Sequence, residues 1–331
     1  MNIVADRNDD GLTFCKPVST VPNILFVDGL ARSGKSTLCR LITTFERLEI
    51  ERIDMIYDYV GILNAFGKLD RDAAVAMERL FADLSLYDNY ICRNVNFRWR
   101  DTSSVFHFPR PLVYFKRLFS RGKDQAIREI EAENPILLSQ THNQMENIDL
   151  HFDSFPDSLR VVSVVRHPVS LAYAWWKTGH GENLCESKWN QIFCISRDDS
   201  PPAHHLAIGW EKQFQGMAPI NRIIRMHHDY MVRAKKTLES LGGDRSAKIF
   251  QLRNRSLFTV PELITEQLCA FLNTTATRKS RAVIRKMQRT NDDDESMCNA
   301  QQNEIHVQCS AESRAMLGDM IDMYETQLYS L

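Results

Sequence analysis

The chain has 331 residues, of which 44% are hydrophobic and 25% charged, and a formal net charge of −1. These are the proportions of an ordinary globular protein, long enough for one large α/β domain or two small ones. The near-zero balance excludes a chain-wide nucleic-acid-binding or membrane-binding charge, while leaving room for a local basic pocket.

Residues 1–20 are polar and aperiodic and read as a loose leader. Met1–Asp10 carries Asp6, Asp9 and Asp10 and lacks the apolar centre of a signal peptide. Asn23–Asp28 (NILFVD) is a short apolar run of the kind a buried parallel strand shows. Lys35–Leu48 reads as a helix, with Leu38, Leu41, Ile42 and Phe45 at three-and-four spacing. A second helix is predicted from Asp70 to about Leu86, with Met77, Leu80, Phe81 and Leu84 on one face. Asp101–Tyr114 (DTSSVFHFPRPLVY) reads as a loop or lid. Phe97, Trp99, Phe106 and Phe108 either line an acceptor pocket or pack in the core or lid.

A helix over Asp124–Glu133 breaks at Asn134-Pro135 and gives way to a strand at Ile136–Ser139. Arg160–Val165 (RVVSVV) is another buried strand, followed by Arg166-His167-Pro168 and a helix over Val169–Lys177 in which Trp175 and Trp176 pack toward the sheet. Asp198–Pro202 reads as a loop and His204–Leu241 as mostly helical, with the pairs His204-His205 and His227-His228 at the surface. Gly242-Gly243 ends that region. Ala247–Leu252 is a strand, Pro261–Leu272 a helix, Thr290–Gln302 a polar loop with a solvated acidic run from Asp292 to Glu295, and Ser310–Leu328 a terminal helix.

No internal repeat is visible. Alternating strands and helices, opened by a strand, the glycine-bounded turn Gly29–Gly34 with Lys35-Ser36 after it, and a helix, predict a P-loop NTPase-like three-layer α/β/α fold, with a mostly parallel central sheet and helical additions, forming one domain over residues 21–331. The eight cysteines are scattered without a C-x-x-C pair, and Cys185 and Cys194 stand too far apart for a zinc knuckle. Reduced thiols and no metal site are expected, with Cys39 and Cys269 as small core residues. No run approaches the roughly eighteen apolar residues of a membrane span, so a soluble, cytoplasmic protein without a membrane or nucleic-acid partner is expected.

Gly29-Leu30-Ala31-Arg32-Ser33-Gly34-Lys35-Ser36 fits the pattern G-x4-G-K-S, placed after a strand and at the start of a helix. Gly29 and Gly34 let successive backbone N–H groups turn toward one anion, and the helix adds its positive N-terminal end. Lys35 reaches the terminal anionic group, the hydroxyls of Ser36 and Thr37 donate to phosphate or ligate magnesium, and Arg32 adds a fixed charge. Kinases, hydrolysing ATPases and sulfotransferases share such a loop. A magnesium-dependent enzyme places an Asp at the end of a neighbouring apolar strand. Here the strand Val161–Val165 ends in Arg166, which suits a second anion; Asp28 and Asp54 do not end a comparably clean strand.

At these residues the chain resembles the sulfotransferase family that uses 3′-phosphoadenosine 5′-phosphosulfate. Arg32-Ser33-Gly34-Lys35-Ser36 stands in the place of the family's 5′-phosphosulfate loop. Arg160–Trp176 (RVVSVVRHPVSLAYAWW) resembles its strand ending R-x-P and the helix that binds the 3′-phosphate. Gln140-Thr141-His142, 24 residues before Arg166, resembles the strand end whose histidine is the catalytic base. KIFQLRNRSLFTVPELITEQLCAFL resembles the late strand, turn and helix, so the likeness runs from about Asn23 to Leu272.

The resemblance implies a metal-free transfer of a sulfuryl group to a hydroxyl or amine of a small-molecule or glycan acceptor. His142 would be the base and Lys35 the charge stabiliser. Arg32, Ser33, Gly34, Lys35, Ser36 and Thr37 would hold the 5′ end of the donor, and Arg166 and Ser170 its 3′-phosphate. The chain departs from the family at Ala174, where a serine is usual and Ser170 lies one turn earlier, at Gln140 in place of a lysine, and at Lys35 in place of a threonine. The family's late R-K-G segment is also missing, with Arg281, Arg285 and Lys286 as loose substitutes. The complete G-x4-G-K-S loop keeps an ATP- and magnesium-dependent kinase as the alternative. Ala174 and Gln140 keep a catalytically inactive nucleotide-binding protein as another, in which His142 is a plain strand-end histidine.

Overall fold

The computed structural model describes residues 11–101, 103–182, 184–188, 191–288 and 295–326. Four strands, β1 (Asn23–Asp28), β2 (Ile136–Gln140), β3 (Leu159–Val165) and β6 (Ile249–Arg253), form one sheet in the order β2-β1-β3-β6, every pairing parallel. A two-residue antiparallel ladder, β4 (Cys194–Ile195) with β5 (Ala203–His204), stands apart.

The sheet is apolar on both faces, and the period of two decides which residue goes where. Ile24, Phe26, Leu137, Leu159 and Val161 enter one core, while Leu25, Val27, Ile136, Leu138, Val162, Val164, Phe250 and Leu252 enter the other. The first core is closed by α3 (Arg71–Tyr90), α6 (Ile148–Ser154), α7 (Pro168–Lys177), α9 (Pro219–Ser240) and α15 (Ala311–Thr326). The second is closed by α1 (Lys35–Ile42), α12 (Pro261–Phe271) and α13 (Ser280–Met287). This is the expected three-layer arrangement. Helices α7, α9 and α12 each begin at a proline, whose fixed φ and missing N–H cost nothing in the first turn. The additional helices are α2 (Ile56–Ala65), α4 (Pro111–Arg117), α5 (Asp124–Glu133), α8 (Glu211–Phe214), α10 (Gly243–Ser246), α11 (Ser256–Thr259) and α14 (Glu295–Gln308).

Several expectations are corrected. The polar stretch from Glu295 onward is helix α14, seated on α7, rather than a loop; Asp292–Asp294 lie outside the described residues. The expected lid is helical from Pro111. The region His204–Leu241 opens with short turns, and its long helix starts only at Pro219. In α3, Met77, Leu80 and Leu84 face solvent, and the buried side carries Ala74, Glu78, Ala82, Ser85, Leu86 and Asn89. Glu78 is fully buried and pairs at 2.8 Å with His151 of α6, itself fully buried. Leu12–Thr20 has no regular structure, but Asp72 and Asp83 accept hydrogen bonds from Phe14, Ser19 and Thr20 and hold it along α3. Finally, Cys185 and Cys194 form a disulfide, against the expectation of reduced thiols; both flank the β4–β5 ladder. Among the described residues no helix is long and apolar enough to cross a membrane.

Candidate functional site

In a parallel sheet all strands point the same way, so their carboxyl ends share one edge, and ligands bind in the crevice outside it. Here that edge collects Asp28 and the phosphate-loop sequence after β1, Thr141-His142 after β2, Arg166 after β3 and Asn254 after β6. Residues 113 to 221 positions apart in sequence thereby become neighbours.

The loop is built as its glycines require. Gly29 has φ +146°, and a Cβ there would lie 2.5 Å from the Val164 carbonyl; Gly34 has φ +102°, and a Cβ would lie 1.8 Å from Asn254 Nδ2. Asn254 fills that space, donating to the Ser33 carbonyl at 2.8 Å. Trp175 of α7 donates its indole N–H to Ala31 O at 2.7 Å, so the tryptophan expected only to pack also fixes the loop. Arg166 donates to Arg32 O at 3.2 Å, which ties the residue after β3 to the loop backbone. The Ser33 hydroxyl is buried without a hydrogen-bond partner among the described residues, a free donor inside the loop.

Lys35, read from the sequence as reaching the terminal anionic group, turns back into the loop. It is 3% exposed, and its ammonium donates to Gly29 O at 2.5 Å and Leu30 O at 2.9 Å. Burial lowers its pKa to about 8, while Asp28 and Asp58 oppose the shift. Asp28 does end a clean strand, contrary to the sequence reading, and is fully buried. Its carboxylate accepts from Thr141 Oγ1 at 2.8 Å and from Gln144 N, and so holds the turn after β2.

That turn presents His142. Its backbone N–H donates to Asp58 Oδ1 at 2.8 Å, and its Nδ1 lies 3.1 Å from Asp58 Oδ2. Asp58, on α2, is buried, and burial pushes its carboxyl upward, while the His142 N–H and the Lys35 ammonium draw it back. With Nδ1–H given to Asp58, Nε2 is the acceptor nitrogen of the ring. Burial, and then the charge of Lys35, lower the His142 pKa to about 3, so the imidazole is neutral at neutral pH. Gln144 Nε2 donates to His142 O at 2.8 Å, and Gln144 Oε1 faces His151 Nε2, linking the turn to the buried Glu78–His151 pair.

The remaining candidates separate. Ser36 donates to Gln140 Oε1 at 3.2 Å, which ties β2 to α1. Thr37 is half-buried in the first turn of α1. Ser170 is buried on α7 with its Oγ 3.1 Å from Cys298 Sγ of α14.

A narrow cleft of about 70 Å³ runs from Gly29 and Ser33 past Arg166 to α9, where His227, Tyr230 and Met231 line it; Ser170 does not. His227 is 1% exposed, both its ring nitrogens lack a hydrogen-bond partner among the described residues, and its ring meets Trp175 edge-on at 4.4 Å.

Asp58 and His227 escaped the sequence reading. Ile56, Tyr57 and Val60 carry a helical spacing around Asp58 that signals α2, but nothing local assigns its carboxylate to a histidine 84 residues away.

The histidine pairs expected at the surface are mostly interior. His204, His205 and His227 are all at most 5% exposed. Burial lowers His204 well below the ordinary range, His205 to about 4 and His227 to about 3. A native histidine held below its unfolded pKa of about 6.5 costs stability as pH falls, because only the unfolded chain takes the proton. Each such residue removes about 1.4 kcal/mol per pH unit between about 6.5 and its folded value. His151 and His228 are raised by carboxylate partners and act in the opposite direction. The urea midpoint is therefore expected to fall between about pH 6.5 and about pH 5, and His227→Leu should flatten that fall. A midpoint unchanged over this range would contradict the neutral interior histidines.

No protein-family model and no curated protein sequence matches the chain. Among solved structures it is similar to a sulfotransferase domain from the curacin biosynthetic pathway, at 13% identity over 93% of this chain and 99% of that one, with a TM-score of 0.49. It is also similar to a sulfotransferase domain from the Synechococcus PCC 7002 olefin synthase, at 11% identity over 96% and 100%, with a TM-score of 0.46. A sulfotransferase from Alicyclobacillus acidocaldarius aligns at 14% identity over 90% and 95%, with a TM-score of 0.39. At such identities and TM-scores these are likenesses alone, and function is argued from the chain's own residues.

Proposed function

We propose that the chain is a sulfotransferase that moves a sulfuryl group from 3′-phosphoadenosine 5′-phosphosulfate to the hydroxyl or amine of a small-molecule or glycan acceptor. The observation that carries the reading is the convergence at one sheet edge of a phosphate loop, a second cation at Arg166 and a neutral histidine oriented by Asp58. In this reading the 5′-phosphosulfate lies against the N–H groups of residues 32–37, with the Ser33 hydroxyl and Lys35 as donors. Arg166 takes the 3′-phosphate. Ser170, engaged beneath α14, joins that contact only if α14 moves.

The reaction balances without a metal. His142 Nε2 takes the acceptor proton as the acceptor oxygen or nitrogen bonds to sulfur. The bond from sulfur to the bridging oxygen breaks, and adenosine 3′,5′-bisphosphate leaves with that electron pair. Lys35 faces the charge that develops on the leaving oxygen. The disulfide speaks for an oxidising compartment rather than the cytoplasm that the sequence suggested.

The rival is the magnesium-dependent kinase, and the two differ in what they bind. Adenosine 3′,5′-bisphosphate should raise the melting temperature without metal; at 100 times its dissociation constant it contributes about 2.7 kcal/mol. Arg166→Ala should weaken 3′-phosphorylated nucleotides far more than those lacking that group. A shift produced by ATP with magnesium alone would replace this reading with the kinase. Intact nucleotide binding without any turnover would mark an inactive homologue.

A further inference from the structure

The net charge of −1 conceals one strongly biased segment. Between Arg93 and Lys123 the sequence holds eight cations (Arg93, Arg98, Arg100, Arg110, Lys116, Arg117, Arg121 and Lys123) against one acid, Asp101. Three of these cations are spent inside the fold: Arg93 on Asp88, Arg110 on Glu46, and Arg117 on Glu49 and Glu133. Arg98 makes only a long contact of 3.6 Å with Asp101. Arg100, Lys116, Arg121 and Lys123 are exposed and have no ion-pair partner among the described residues.

The same segment turns aromatic rings outward. Phe106 lies 5.1 Å from Trp99 and 6.2 Å from both Phe97 and Phe115, centroid to centroid, so the four rings form one continuous patch. On α4, Leu112 and Phe115 stand three apart on one helix face, and Phe119 follows in the turn just past the helix. Trp99 is 68% exposed, Leu112 70% and Phe119 87%. Beneath them Tyr114, Phe108, Val105 and Ile50 form a separate small core, and the Tyr114 hydroxyl donates to Glu49 while accepting from Ile50 N, so the outward rings rest on a fixed base.

Large exposed aromatics interleaved in sequence with unpaired, exposed cations match the chemistry of a bilayer interface. There the rings enter the headgroup–acyl boundary and the cations meet anionic headgroups. A polyanion without an apolar phase would satisfy the cations and leave Trp99, Leu112 and Phe119 in water. We propose that this face docks the protein reversibly on an anionic lipid surface, independently of the chemistry at the sheet edge.

The test is co-sedimentation of the full chain with vesicles of phosphatidylcholine alone or with roughly one third phosphatidylserine, at low and physiological salt. The expected result is at least tenfold more bound protein on the anionic vesicles, falling as salt rises. Trp99→Ala/Phe119→Ala and, separately, Arg100→Glu/Lys116→Glu should each lower binding about tenfold while circular dichroism and melting temperature stay unchanged. Leu80→Ser/Leu84→Ser, altered at exposed apolar positions outside the patch, should bind like wild type. Equal binding to both vesicle types, binding that survives the two patch variants, or retention on heparin or single-stranded RNA without vesicle binding would each overturn the proposal.

Discussion

Replacing His142 with alanine should lower turnover by about 10²- to 10⁴-fold, the range a positioned general base contributes, and leave affinity for adenosine 3′,5′-bisphosphate nearly unchanged. An acceptor alcohol is a poor nucleophile until its proton is removed as the bond to sulfur forms. The structure sharpens the pH test. An unperturbed histidine would switch off near pH 6.5, but His142 is held neutral down to about pH 3. Activity measured over brief exposures should therefore persist through pH 5, where an ordinary imidazole is already protonated. Asp58→Asn keeps a hydrogen-bonding partner but allows the ring to turn over, so it should lower kcat more than KM. If His142→Ala loses thermal stability and keeps its rate per folded molecule, the residue holds the turn and does no chemistry.

Lys35→Ala should cost about 3–4 kcal/mol of transition-state stabilisation, or roughly 10²- to 10³-fold in rate, by analogy with removal of an oxyanion donor. The structure assigns a second cost, because the ammonium satisfies the carbonyls of Gly29 and Leu30 inside the loop. Leaving them bare should remove about 1–3 kcal/mol of stability. Rate per folded molecule, from active-site titration, separates the two effects. With a pKa near 8 in the free protein, the ammonium is charged below that value and lost above it, so wild-type kcat/KM should decline above about pH 8. A Lys35→Ala rate equal to wild type would make the residue a loop brace alone.

Much of the frame was legible because it is local. The apolar run of β1 was read with its observed bounds, Asn23–Asp28, and β3 within one residue, since a strand buried on both faces needs an unbroken apolar string. The G-x4-G-K-S turn and Arg166 were singled out by spacing, and in the structure they meet at Arg32 O. What escaped depends on partners distant in sequence. Asp58 and Asn254 look like any polar residues until the sheet carries His142 and the loop to them. The histidine pairs were placed outside because adjacent helical residues diverge, yet His227 turns inward onto Trp175 and His204 sits on the short ladder beside the disulfide. Glu295–Gln302 carries weak amphipathic periodicity, and its helix takes its place from contact with α7.

Helix α3 leaves three large apolar side chains, Met77, Leu80 and Leu84, in water while burying Glu78, Ser85 and Asn89 beside Ala82, Leu86 and Tyr90. Turned about its axis, it would offer Met77, Leu80 and Leu84 to the core and return Glu78, Ser85 and Asn89 to water. The observed setting forgoes that area and instead locks Glu78 to His151, through which Gln144 and the His142 turn are held. The Glu78–His151 couple thus adds a polar lock to the apolar packing of Ala82, Leu86 and Tyr90 on that face of the helix. Its position, two hydrogen-bonded steps from the candidate base, makes the choice of helix face and the aim of the imidazole one and the same structural decision.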